Sequence, residues 1–73
     1  MKTIKRHLLP KTDIESAITL SETGNHRDPY VTHFQNREYI KTHGEESGKS
    51  WGHYFSTLEA AEADFEERVV RGY

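Results

Sequence analysis

The sequence predicts a small α+β domain, in which an antiparallel meander of three or four strands carries one C-terminal α-helix packed on one face. Two observations predict this class. An aromatic strand at residues 50–55 runs directly into an amphipathic helix, and earlier segments are rich in β-branched and aromatic residues. An isolated hairpin could not bury the apolar stripe of the helix, so we expect three or more strands. We expect residues 1–73 to form a single domain with a thin core.

The C-terminal helix is predicted from the spacing of its apolar residues. Four of them recur at three- and four-residue steps and form one stripe: Leu58, Ala61, Phe65 and Val69. Glutamates lie beside or opposite this stripe, so one face should pack and the other should meet water. We expect Leu58, Phe65 and Val69 to hold the fold together with Trp51 and Phe55 of the preceding strand. Truncation of Trp51 to alanine should then cost ~3–5 kcal/mol.

Both ends of this helix carry recognisable signals. Ser56 followed three residues later by Glu59 matches a capping box, which places the N-cap at Ser56. Arg68 and Arg71 lie near the C-terminal end, where the helix dipole favours cations. Gly72 supplies the stop.

The strands that precede the helix are predicted from composition. Residues 30–34 and 38–42 are rich in β-branched and aromatic side chains, and Asn36-Arg37 could turn a hairpin between them. A single bulged strand is the alternative. Residues 43–49 are polar and contain two glycines, which indicates an exposed hairpin loop before the Trp51 strand.

The first third of the chain leaves two interpretations open. Residues 13–22 fit either a helix or a strand, and we favour a strand over about residues 16–22. Residues 1–11 hold four basic side chains and no acid, which predicts a flexible N-terminal arm able to reach phosphates: Lys2, Lys5, Arg6 and Lys11. The chain has no cysteine and no apolar run that could span a membrane, so we expect a cytoplasmic protein without membrane contact.

Motifs for catalysis and for cofactors are weak. Residues 44–50 approach a phosphate-binding loop, but three residues instead of four separate the glycines, and a strand follows where a helix is required. His33, His43 and His53 could meet on neighbouring strands and bind zinc, although their spacing fixes no common face. No serine elbow or cysteine nucleophile is present. We therefore expect no enzyme activity and assign no catalytic, cofactor-binding or metal-binding residue.

Nucleic-acid binding is the alternative function. The basic arm could contact phosphates while strand aromatics stack on bases. The passage Phe55-Ser56-Thr57-Leu58-Glu59-Ala60-Ala61 resembles the last strand and helix start of the small domains, with a three-stranded sheet and one helix, that bind DNA arm sites in phage integrases. The resemblance implies a basic sheet that reads DNA, whereas this sheet is mixed in charge, with Glu38 in a predicted strand.

A non-catalytic protein–protein interaction or regulatory module is the favoured function. One helix leaves one sheet face uncovered, so aromatics that project from that face would form an adhesive patch: Tyr30, Tyr39 and Tyr54. The acidic helix surface is a second candidate for partner binding: Glu59, Glu62 and Glu66. The partner would be another protein or a second copy of the chain, the homodimer forming through the open face or an edge strand.

Overall fold

The computed structural model describes residues 1–9, 16–44 and 47–73, and within them it has the predicted α+β architecture. Four strands form one antiparallel sheet in the order β1-β2-β3-β4: Lys2–Leu8, Ser16–Glu22, Tyr30–Asn36 and Lys49–Phe55. The C-terminal helix α2, Leu58–Arg71, packs against β2, β3 and β4. The predicted meander with one helix on one face is confirmed. Of the helices described, none has the length and apolar character needed to cross a membrane.

The N-terminal third contributes two strands. Ser16–Glu22 is strand β2, as favoured over a helix, while residues 13–15 lie outside the described residues. Residues 2–8 are wrongly assigned to a flexible arm, because they form β1 and pair with β2 from Lys2↔Glu22 to Leu8↔Ala17. The backbone N–H and C=O groups of a buried strand need partners on both sides, and β1 supplies those on one side of β2. Lys11 lies outside the described residues.

The core lies between the sheet and α2. Its buried residues come from β2 and from the helix stripe: Ile18, Leu20, Ala61 and Phe65. Half-buried side chains pack around them: Leu9, Tyr30, Phe34, Phe55 and Val69. The expectation that Trp51 and Leu58 belong to this core is wrong, since Trp51 is 62% exposed and Leu58 is 38% exposed. The buried helix stripe instead continues from Ala61 and Phe65 to Arg68.

Residues 37–43, after β3, form helical turns, which corrects the predicted strand at residues 38–42. Residues Arg37–Tyr39 form a 3-10 turn and Ile40–His43 form the short helix α1. The side chains of residues 39–41 lie outside the described part of the structure. The backbone N–H of Glu38 donates to Oδ1 of Asn36 at 3.0 Å. This Asx-type bond turns the backbone out of the extended conformation, so local hydrogen bonding overrides the strand preference of the following residues.

The C-terminal cap of α2 is the predicted residue, whereas its N-terminal cap differs from the prediction. Thr57, rather than Ser56, is the N-cap, and its hydroxyl accepts from the backbone N–H of Ala60 at 3.2 Å. Gly72 ends the helix as predicted, with a φ of 90° in the left-handed region. Its N–H donates to the carbonyl oxygen of Arg68 at 2.7 Å. A residue with a side chain would be strained at that φ.

The sheet face opposite α2 carries a polar network. Thr19, Ser21 and Gln35 are fully buried there, although they alternate along their strands with the residues that face the helix. Two cationic side chains reach over them. Arg6 Nε donates to Gln35 Oε1 at 3.0 Å, and Lys49 Nζ donates to Ser21 Oγ at 3.1 Å. Long polar side chains therefore cover the sheet face opposite α2, which is the open face.

Both edge strands contain a bulge. In β1, Thr3 and Lys5 pair with the adjacent residues Ser21 and Leu20, which leaves Ile4 as an extra residue. In β4, the register shifts between the partners of Thr32 and Phe34, so that two residues of β4 face one residue of β3. Bulges interrupt the row of backbone groups that an added strand would need. Both edges are thus poorly shaped for pairing with a further strand.

Candidate functional site: a cleft between strand β4 and the end of helix α2

A cleft of about 340 Å³ lies where the bulge of β4 meets the C-terminal end of α2. Of the residues that the structure describes, five line this β4–α2 cleft: Trp51, His53, Arg68, Arg71 and Tyr73. They come from a strand, from the last turn of the helix and from the residue beyond its glycine cap. The cleft combines two aromatic rings with three nitrogen-bearing side chains, a composition typical of interaction surfaces rather than of random solvent-exposed positions.

Trp51 forms one wall of the cleft from an unusual backbone conformation. Its φ is 52°, in the left-handed region that bulky residues avoid. Trp51 and Gly52 are the two residues of β4 that face His33 alone, so the bulge occurs at this point. A bulge of this kind places glycine at the left-handed position. Here tryptophan occupies that position and glycine follows it.

The reason that glycine follows Trp51 is the close approach of the His33 ring. A Cβ on Gly52 would lie 2.9 Å from Nε2 of His33 and 3.2 Å from its Cδ2. The imidazole therefore occupies the space that a side chain at residue 52 would need.

Arg68 holds the bulge in place from the helix. Its Nη1 donates to the carbonyl oxygen of Trp51 at 2.7 Å, to the carbonyl oxygen of Thr32 at 3.2 Å and to the Thr32 hydroxyl at 3.1 Å. Arg68 is only 1% exposed. Burial lowers the pKa of Arg68 from its ordinary value, the negative charge of Asp64 opposes that shift, and the positive charge of Arg71 adds to it. One guanidinium thereby ties α2 to two neighbouring strands.

Asp64 links this cation to His53. The Thr32 hydroxyl accepts from Arg68 and donates to Oδ2 of Asp64 at 2.6 Å, and Nδ1 of His53 lies 3.1 Å from the same oxygen. Because an ionised carboxylate only accepts hydrogen bonds, the proton of a neutral His53 ring lies on Nδ1. Nε2 of His53 is then left as an acceptor.

The outer rim of the cleft is formed by Arg71 and Tyr73. The guanidinium of Arg71 lies 4.7 Å from the centroid of the Tyr73 ring and donates from Nε and Nη2 to the main-chain oxygen of Tyr73. Arg71 also contacts Glu67 at 3.4 Å, an exposed pair one helical turn apart. Such pairs contribute about 0.3–0.5 kcal/mol, so a ligand could replace this contact at little cost.

The cleft is suited to binding rather than to excluding water. An imidazole held by a carboxylate can accept or deliver a proton. Trp51 and Tyr73 are both more than half exposed, so their rings bound a cleft that is open to solvent. The arrangement offers two apolar ring surfaces and a set of hydrogen-bonding nitrogens to an incoming group.

The predicted partner-binding aromatics do not share one surface. Tyr30 packs against the core cluster on the helix side of the sheet. Tyr54 is paired with Val31, points to the opposite side and is 57% exposed. The side chain of Tyr39 lies outside the described residues. Of the three tyrosines, only Tyr54 is described as an exposed ring on the open face.

The predicted charged sites are also divided. Glu59 and Glu66 are exposed on α2, whereas Glu62 is half-buried and lies 3.6 Å from Nζ of Lys5. Within the predicted basic arm, Lys2 is exposed at the start of β1. Lys5 lies on the helix side and Arg6 reaches over the open face. Strand alternation thus places these two neighbouring cations of the predicted basic arm on opposite faces of the sheet.

The three histidines that could have met to bind zinc have separate surroundings. His33 packs against Gly52, His53 contacts Asp64, and Nδ1 of His43 lies 2.7 Å from the Thr42 hydroxyl. Across residues 1–9, 16–44 and 47–73, no three or more histidine, aspartate or glutamate side chains are grouped so that they could hold a metal ion.

Sequence reasoning missed the β4–α2 cleft because it placed Trp51 in the core and read Arg68 and Arg71 only as dipole partners. One signal was available. Arg68 lies three residues after Phe65 and seven after Ala61, which is the spacing of a buried stripe. A cation on the buried stripe of a helix needs polar partners on the sheet, so it indicates a structured polar site.

Comparisons with known proteins give no relative. The chain matches no family model, no curated protein and no solved structure. Its function is therefore inferred from the geometry of the cleft alone.

Proposed function

We propose that this chain is a non-catalytic interaction module that binds another protein through the β4–α2 cleft. The observation that carries the proposal is Trp51, an exposed aromatic ring held on left-handed backbone by a buried arginine. The left-handed conformation costs about 1–2 kcal/mol for an L-residue, and such strain is concentrated at ligand-binding positions. Tryptophan, tyrosine and arginine are also the residues that dominate binding energy at protein interfaces.

The rigidity of the cleft supports this proposal. The Trp51 ring contacts the Phe34 ring with centroids 5.2 Å apart, and the Trp51 carbonyl is fixed by Arg68. A ring that is already oriented loses little conformational entropy when a partner covers it. An exposed tryptophan that is held in this way is better suited to recognition than a freely rotating side chain.

Two other modes of association are less well supported. Homodimerisation through an edge strand is disfavoured by the bulges in β1 and β4, which disrupt the edge ladders. Nucleic-acid binding by the N-terminal residues is disfavoured because Lys5 and Arg6 diverge to opposite faces and Lys5 pairs with Glu62. The proposal therefore takes a different protein as the partner, rather than a second copy of the chain joined edge to edge or a nucleic acid.

The test compares three forms of the full chain as baits in nuclease-treated lysate of the native host: wild type, Trp51→Ala and Tyr54→Ala. Tyr54 is a matched control because it is a similarly exposed aromatic residue of the same strand on the other side of the sheet. We expect a protein that is retained by wild type and Tyr54→Ala and lost by Trp51→Ala. Equal retention by all three forms would contradict a role for the cleft.

Two further measurements separate the other classes of partner. Sedimentation of the purified chain at several concentrations should give a monomer. A concentration-dependent dimer that is lost in Trp51→Ala would show that the partner is a second copy of the chain. Binding to generic single-stranded DNA should be negligible at low salt. Tight binding that falls steeply as salt is added would instead support the nucleic-acid function.

A further inference from the structure

We infer that the segment entering the β4–α2 cleft is an acidic peptide stretch that carries an apolar side chain, and this inference rests on the proposed function. The apolar side chain would pack against Trp51 and Tyr73, while a neighbouring carboxylate would meet Arg71 at the rim. Three features of the cleft carry this assignment: its exposed rings, the charges on its lining residues and the burial of Arg68.

The rings account for the apolar part of the ligand. Trp51 and Tyr73 leave more than half of their surfaces exposed to solvent around a cleft of about 340 Å³. That volume accommodates one large side chain with the backbone on either side of it, at the small end of the ~300–1,000 Å³ range of ligand sites. Burial of an aromatic or branched aliphatic side chain there would remove apolar surface of both partners from water.

The charges of the lining residues account for the acidic part of the proposed peptide. Among the lining residues that the structure describes, none has a carboxylate side chain, and two, Arg68 and Arg71, have cationic side chains. Within the described part of the chain, Asp64 contacts His53 and Glu67 contacts Arg71. Asp64 is occupied by Thr32 and His53, whereas Glu67 is largely exposed and meets Arg71 only at 3.4 Å. Nε and Nη2 of Arg71 donate to the main-chain oxygen of Tyr73, so a carboxylate in the cleft could take the place of Glu67 at Nη1.

The burial of Arg68 adds a second reason for an anionic ligand. Its Nε is buried and has no hydrogen-bond partner among the described residues, while its Nη1 is bonded only to neutral oxygens. A buried cation is costly unless negative charge lies nearby, and the carboxylate of Asp64 is shared with two other groups. A ligand carboxylate brought into the cleft would reduce this cost through space, even without direct contact.

The chain's single tryptophan provides the readout, because Trp51 lies in the cleft. Three peptides blocked at both ends would be titrated against Trp51 fluorescence at low salt: Gly-Glu-Phe-Glu-Gly, the matched Gln-Phe-Gln peptide and the matched Lys-Phe-Lys peptide. We expect a saturable change with the glutamate peptide, about tenfold weaker binding of the glutamine peptide because its charge-assisted bonds are lost, and no binding of the lysine peptide.

Variants at Arg71 test the carboxylate contact while Trp51 is kept for the measurement. Arg71→Glu should reverse the preference, so that the lysine peptide binds better than the glutamate peptide. Arg71→Lys should keep the original order with reduced affinity, because it retains the charge and loses the planar fork. Tyr54→Ala is the control and should leave all three affinities unchanged. Far-UV circular dichroism would confirm that each variant is folded.

The possible results separate this inference from the proposed function. Equal affinity for the glutamate and glutamine peptides, or an unaltered preference in Arg71→Glu, would overturn the acidic class, even if the captured partner is lost from Trp51→Ala. No fluorescence change with any peptide, combined with cleft-dependent capture, would overturn it as well. Capture that survives Trp51→Ala would instead remove the proposed function and this inference with it.

Discussion

Nη1 of Arg68 lies 2.7 Å from the carbonyl oxygen of Trp51, so the last turn of α2 holds the bulged residue of the edge strand. The same nitrogen also bonds both the carbonyl and the hydroxyl oxygen of Thr32 on β3. The helix is thereby connected to two strands by a buried cation at one end and by apolar contacts around Phe65 in the middle. This connection links the stability of the fold to the shape of the cleft.

Replacement of Arg68 by methionine should destabilise the protein strongly. The change keeps much of the aliphatic stem but leaves the oxygens of Trp51 and Thr32 without their donor, which should cost roughly 2–4 kcal/mol. Each kcal/mol lowers the melting temperature by about 4–8 °C in a domain of this size. Thermal unfolding followed by circular dichroism measures the shift. Arg71→Met is the control and should change stability by less than about 0.5 kcal/mol, so similar losses for both variants would refute the role of Arg68.

The Trp51→Gly variant should be more stable than the Trp51→Ala variant. Both Trp51→Gly and Trp51→Ala remove the ring, so their difference reports the backbone alone. At a φ of 52°, glycine avoids a penalty of about 1 kcal/mol that alanine keeps. Urea unfolding of the two variants measures the difference. The same pair at Tyr54, in regular strand, should show the opposite order, and an identical order at both positions would argue against strain at Trp51.

Removal of the helix cap should matter at Thr57 and not at Ser56. Thr57→Ala loses the acceptor for the Ala60 N–H and should cost about 1 kcal/mol. Ser56 is exposed and precedes the cap, so Ser56→Ala should change stability by less than about 0.5 kcal/mol. Urea midpoints of the two single variants test this prediction. A larger loss at Ser56 would restore the capping box that the sequence suggests.

The neutral ring of His53 should carry its proton on Nδ1. The carboxylate of Asp64 accepts from this nitrogen at 3.1 Å, so Nε2 should be unprotonated. Nitrogen-15 NMR of the imidazole distinguishes the two tautomers. In Asp64→Asn, which removes the charged acceptor, the Nε2–H tautomer should become populated. A neutral His53 ring with its proton mainly on Nε2 in the unaltered protein would contradict the contact with Asp64.

The parts of the fold that follow from local sequence were predicted well. The amphipathic spacing of residues 58–71 specifies α2, and Gly72 ends it because glycine alone adopts left-handed φ without strain. Strands β2, β3 and β4 follow from their β-branched and aromatic content. The helical turns after Asn36 were missed because one side-chain hydrogen bond there outweighs a weak strand preference.

The candidate site was not predicted because its geometry depends on pairing between distant strands. The sequence shows that Trp51 lies in a strand, but a one-residue bulge shifts the phase of alternation and changes which side chains face the core. It also shows that Arg68 lies near the helix end. It does not show that the carbonyl groups of Thr32 and Trp51 converge there.

The sequence by itself determined the order of the main elements and the α+β class, since periodicity and caps act over a few residues. Only the tertiary structure decided that Trp51 is exposed, that Arg68 is buried and that the basic N-terminal residues form a strand. The physical reason is that burial and backbone pairing depend on contacts between residues far apart in the chain. Those contacts are settled by the hydrogen-bonding needs of the whole sheet rather than by the preference of any single residue.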